Sequence, residues 1–213
     1  MSNLHDEQKK NMEKSKQADE NAGIKMSGHI LIRDTETKEE IVNKRNAIHY
    51  GNMANIIARA LTNEAGSYIH FMAFGNGGTS VDTAGKVIYK SPRVSESFEA
   101  SADLYSRSYN KVISAAASDP TTDKIEVVAG SSFTDLKITC TLGYAEPSDQ
   151  DLFDSSTTNE GDYVFDELAL YSYPTDGTSI TTSKMLTHVV FHPVQKSQNR
   201  IIEVIYTVRI QLS

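Results

Sequence analysis

The sequence has no tryptophan and, in 213 residues, a single cysteine, Cys140. One thiol cannot build a disulfide framework or a cysteine-based zinc site. Cys140 sits in an apolar strand pattern, so it is predicted to be a small core residue. No run approaches the roughly 18 apolar residues of a membrane-spanning helix. The first residues lack the apolar core of a secretory signal, so neither a membrane partner nor export is expected. Positive charge is also short: 21 Lys and Arg stand against 28 Asp and Glu, a formal net charge of -7. General nucleic-acid binding normally needs a basic excess and is not expected here.

The signatures of common chemistries are missing too. There is no Gly-x-Ser-x-Gly elbow and no phosphate-binding Walker motif. The run Gly75-Asn76-Gly77-Gly78 follows a strand pattern, but no helix follows it to hold a phosphate, so it reads as a structural turn. His188 and His192 lie in a strand-like stretch. At that spacing they stand roughly 13 Å apart and cannot share an ion directly. His70, between hydrophobes, reads as a hydrogen-bonded core or interface residue. Asp149, Asp151 and Asp154, with Glu146 and Glu160, read as a solvated acidic loop. They lack the glycine and the terminal bidentate Glu of an EF-hand. Asp166 and Glu167 are neighbours in a strand pattern, so they should point to opposite faces, which rules them out as a glycosidase pair. A salt bridge is the simpler role. No catalytic residue, cofactor or metal ligand is assigned.

What is present is patterning. His49 to Gly78 contains the convincing amphipathic helix, with Met53, Ile56, Ile57, Ala60 and Leu61 on one face. Asn52 is the predicted N-cap and Gly66 the stop. Ser67 to Phe74 follows, apolar on both sides, as in a strand covered on both faces. The glycine run should then turn the chain using positive φ at one or more of Gly75, Gly77 and Gly78. Residues 28–33 and 40–44 read as a hairpin. Further strands are expected at 87–90, 109–115, 124–129, 135–142, 163–171 and 184–191, the last ended by Pro193. The strongest is the terminal one. Ile202, Val204, Tyr206, Val208, Ile210 and Leu212 face inward, and polar residues alternate with them. Many strands and one helix predict an antiparallel β-sandwich or jelly-roll-like domain over 26–213. Residues 1–25 are polar and of mixed charge. They form a separate arm, too poor in hydrophobes to fold alone.

Five stretches carry a resemblance: Lys44-Arg-Asn-Ala-Ile-His-Tyr50, Phe71-Met-Ala-Phe-Gly-Asn-Gly-Gly78, Cys140-Thr-Leu-Gly-Tyr-Ala-Glu-Pro147, Tyr163-Val-Phe-Asp-Glu-Leu-Ala-Leu170, and Leu186-Thr-His-Val-Val-Phe-His-Pro-Val-Gln-Lys196. Over residues 28–213 the chain resembles virion structural proteins of tailed bacteriophages. The resemblance implies a non-enzymatic component of the neck, collar or tail of a contractile-tailed particle, assembled in the host cytoplasm. Its partners would be copies of itself in a ring-like oligomer and neighbouring structural proteins. A different reading is a receptor- or carbohydrate-binding β-module of a tail fibre or baseplate. That would need exposed aromatics in a groove, for which Tyr105, Tyr109, Tyr144, Tyr171 and Tyr173 are available.

Overall fold

A computed structural model describes residues 23–94, 102–114, 117, 119–144, 146–147 and 162–212. The sequence-predicted arm therefore falls almost wholly outside the described residues. So does the acidic loop beyond Pro147, with the cation site weighed there.

The chain is mainly β. Its strands are β1 (Ile24–Asp34), β2 (Glu40–Ile48), β3 (Ile69–Gly75), β4 (Thr79–Val81), β5 (Val87–Tyr89), β6 (Arg107–Val112), β7 (Lys124–Ala129), β8 (Phe133–Leu142), β9 (Asp162–Ser172), β10 (Thr187–Ser197) and β11 (Ile202–Leu212). One α-helix among the described residues, α1 (Tyr50–Leu61), joins β2 to β3. Nine strands make one antiparallel sheet in the order β6-β3-β9-β10-β2-β1-β11-β8-β7, and β4-β5 is a separate hairpin. The two layers of the sandwich are the two halves of this sheet, which curls so that its halves share one core. That core joins Met72 and Phe74 of β3 to Ile138 and Cys140 of β8 and Val204 and Tyr206 of β11.

Strict alternation explains the centre of the sheet. β1 and β11 pair along their whole length, from Ile24 opposite Leu212 to Asp34 opposite Ile202. Ile202, Val204, Tyr206 and Val208 are fully buried, whereas Ile210 is half-buried and lies where the core ends. The β1–β2 turn is clamped by Asp34. Its carboxylate accepts from the Thr37 and Glu36 backbone N–H groups at 2.8 Å and from Arg200 at 2.7 Å, which holds its pKa down at about 2. Cys140 is buried, as expected, and burial pushes its thiol pKa far up.

Several local expectations are corrected. His49, not Asn52, caps α1: its Nδ1 accepts the Asn52 N–H at 3.2 Å. Asn52 lies inside the helix, buried, with its amide donating to the Met185 carbonyl. Met53 and Ile56 reach the core, but Ala60 is exposed and Leu61 is 84% exposed. The C-terminal turn of the helix runs past the core it packs on. Asn63 then takes the left-handed conformation at φ 57°, ending the helix before Gly66, itself at φ 78°. In β3 a register shift between Ile69 and Phe71 moves Ile69 to the face of Met72 and Phe74, while Phe71 and Ala73 join a second, smaller core with Tyr171. Pro193 does not end β10. A register irregularity between Val190 and Val194 spans the missing N–H, and the strand runs on to Ser197.

Truncation of two helix residues separates the observed face from the predicted one. Ile56→Ala should cost about 2–4 kcal/mol, because it empties a packed site. Leu61→Ala should stay within about 0.5 kcal/mol, as for a surface position. Denaturant unfolding of the two variants measures both.

Candidate functional site: a buried carboxylate hub and an open apolar groove

The glycine run and the Asp166-Glu167 pair meet. Gly75, opposite Glu167 in the β3–β9 ladder, ends β3. Glu167 is fully buried. Its Oε1 accepts the N–H groups of Gly77 at 3.1 Å and Ser106 at 2.8 Å; its Oε2 accepts the Tyr105 N–H and His188 Nε2, both at 3.0 Å. Asp166 accepts the Gly78 N–H at 2.8 Å and the Thr79 N–H at 2.7 Å, and also the Thr79 hydroxyl. The two carboxylates therefore bind one loop, although neighbours in a regular strand point apart. The irregular pairing of β9 with β10 next to them breaks that alternation.

This arrangement corrects the turn argument. None of Gly75, Gly77 and Gly78 has positive φ; that conformation is taken by Gly66, Gly85 and Gly177. The glycines are there for close approach. A Cβ on Gly75 would stand 2.7 Å from Glu167 Oε1, and one on Gly77 would stand 2.7 Å from the Ser106 nitrogen. Backbone N–H groups that come this near to buried carboxylates leave no room for a side chain.

Hydrogen bonds fix the state of the hub. His188 is fully buried, and its Nδ1 accepts the Arg93 N–H at 2.9 Å. That bond places the ring proton on Nε2, where it is donated to Glu167. Burial alone would raise the Glu167 pKa, but the bonds from His188 and the Ser106 and Tyr105 N–H groups outweigh it and hold the pKa below its ordinary value. Both ring nitrogens are therefore hydrogen-bonded, one to the Arg93 N–H and one to Glu167. His192, four residues on, bonds instead to the Tyr89 hydroxyl at 3.1 Å. His70 bonds to Ser114 at 3.0 Å and packs edge-on against Tyr68 and Tyr173. The aromatics weighed for a sugar groove do not converge. Tyr171 is buried and stacked on Phe71, Tyr109 packs against the main core, Tyr105 covers His188, and Tyr144 bonds to Glu36.

The two edges of the curled sheet come together at one corner among the described residues. Lys111 of β6 reaches Asp123, before β7, at 3.1 Å and also bonds to Glu146 and the Thr141 carbonyl. Burial works against its charge, but these bonds outweigh burial and raise its pKa. Beside that corner the sheet stays open. A groove of about 810 Å³ lies between α1 and the β1-β11-β8-β7 half, lined by Met26, Ile57, Tyr68, Ile125, Leu136 and Ile210 among others. Register shows why it is apolar. Val127 pairs with Leu136, and Leu136 with Val208, a fully buried core residue. Val127 is therefore on the core side of the sheet, yet it is 70% exposed. Ile24, on the core side of β1, is 60% exposed. The inner face continues beyond its cover.

No protein-family model matches this chain, and no curated protein or solved structure shows significant similarity to it.

The hub makes a pH-dependent contribution to stability. A carboxylate whose folded pKa lies below its ordinary 4.5 stabilises the fold fully above about pH 4.5 and loses that contribution as pH falls through the folded value. Glu167→Gln should cost about 1–3 kcal/mol at pH 7, since an amide cannot accept at both ends. Its unfolding free energy should then fall less steeply than the wild type's between about pH 5 and pH 3. Unfolding titrations of both proteins across that range measure the difference.

Proposed function

We propose that the protein is a non-enzymatic structural subunit that assembles with copies of itself, and that the assembly belongs to the neck, collar or tail of a tailed-phage particle. The observation that carries the assembly reading is the uncovered inner face of the sheet. Ile24, Val127 and Leu61 are each more than half exposed around a groove lined with further apolar side chains. Contiguous apolar surface of this kind is costly in water and marks a place where another surface docks. The particle reading is supported by the five sequence stretches that resemble virion structural proteins. The buried hub supports a structural role, because its titratable groups are used up in holding loops together.

Sedimentation of the full chain over a range of concentrations tests the assembly reading. The expected result is a species heavier than the 23.5 kDa monomer, whose share grows with concentration. A monomer at every concentration contradicts it. Mass spectrometry of purified particles then tests the location.

A further inference from the structure

We infer that the open edge of β7 pairs antiparallel with the β7 edge of a second copy, with the two-fold axis passing between the two Val127 residues. This rests on the assembly reading and adds to the uncovered inner face a second contact, at the edge beside it.

Hairpin register identifies which backbone groups are free. The Gly130 N–H donates to the Phe133 carbonyl at 2.8 Å, which makes Gly130 and Phe133 a hydrogen-bonded pair of the β7–β8 ladder. In an antiparallel ladder such pairs alternate with non-bonded ones. Val128 opposite Asp135, Glu126 opposite Lys137 and Lys124 opposite Thr139 are therefore also bonded pairs. The N–H and C=O groups of Ile125, Val127 and Ala129 point the other way, off the sheet. The described residues supply no partner on that side, since β7 is the last strand.

The edge is also poorly defended. Natural edges are blunted by proline, bulges, inward charges or charged side chains. The charges on β7, Lys124 and Glu126, pair with each other at 3.2 Å and leave Val127 and Val128 uncovered. Over Lys124–Ala129 there is no proline, and the ladder with β8 has no register shift. Val127 and Val128, on opposite faces, are 70% and 48% exposed. The other edge strand, β6, is guarded: Lys111 is tied to Asp123 and Glu146, and Arg107 pairs with Asp103 at 3.3 Å.

Register across the two-fold follows from three constraints. The free groups belong to odd-numbered residues, so odd must meet odd. Centring on Glu126 would place two like charges directly opposite, which is destabilising. Centring on Ile125 would oppose Val127 to Asp123, whose N–H is already given to the Asp119 carbonyl at 2.9 Å. Centring on Val127 opposes Val127 to its copy and Ile125 to Ala129, and every free N–H and C=O of these residues finds a partner. Glu126 then faces Val128, with no like charges directly opposite. Val127 and Ile125 lie on the groove side, so the two grooves become one continuous apolar surface across the axis. Such a contact is isologous and closes at two copies, so a ring needs a second surface as well.

The test uses the full chain. Cys140 is buried and will not compete, so single cysteines at Ile125, Glu126 and Val127 report register under mild oxidation. The expected result is a disulfide-linked dimer with Val127→Cys, and far less with Ile125→Cys or Glu126→Cys. Val127→Pro removes an N–H that the monomer does not use, and proline is tolerated at such edge positions. It should leave the monomer's melt unchanged and weaken self-association by about tenfold or more. If the wild type assembles but Val127→Cys does not cross-link and Val127→Pro assembles normally, the edge pairing is wrong and the assembly reading survives. Cross-linking through Ile125→Cys or Glu126→Cys instead overturns the register. A wild type that stays monomeric overturns both.

Discussion

The structure depends on how far a single nine-stranded sheet can close upon itself. An antiparallel sheet with one apolar face must bury it, and here the sheet does so by curling around a shared core. Closure succeeds at the corner where Lys111 meets Asp123 and Glu146. Beside that corner the groove lies open, lined by Asp123, Lys124 and Ile125 at the start of β7, and α1 covers only part of it. Met53 and Ile56 plug the core, while Leu61 projects beyond it. The apolar groove, the exposed inner-face residues and the free edge are consequences of this one incomplete closure.

The second constraint is the cost of burying charge. A fully buried carboxylate is tolerated only when donors fill its lone pairs. Glu167 meets that condition with three backbone N–H groups and one imidazole, and Asp166 does so with two N–H groups and a hydroxyl. The donors come from two loops far apart in sequence, around Gly77 and Tyr105. The hub thus ties the β3–β4 loop and the approach to β6 onto β9.

Much of this was legible in the sequence, and the limits have physical causes. Alternation in Ile202–Val208 identified the core strand, because a strand buried on one face repeats every two residues. The same rule failed at Ile210, where the residue type continues but the cover does not. Periodicity likewise cannot say that the helix outruns the sheet, so it extends the apolar face to Ala60 and Leu61, beyond a core that reaches only to Ile57. The glycine run lies at the end of β3 and in the link to β4, without the positive φ that its composition suggests: composition cannot distinguish positive φ from a close approach to a carboxylate 90 residues away. Two acidic residues inside the apolar stretch Tyr163–Leu170 were the available signal for that carboxylate. A buried acid demands N–H donors, and a nearby glycine-rich turn is a ready source of them. The bulge that lets both side chains reach the same loop has no sequence signature.

The proposed assembly would complete the inner face of this protein with a surface of another subunit. An electron-microscopy reconstruction of the assembled form tests it most directly. The account requires density from a neighbouring subunit over the groove between α1 and β7, covering Ile24, Leu61 and Val127. A reconstruction in which the subunits touch elsewhere and these three side chains still face solvent would contradict it.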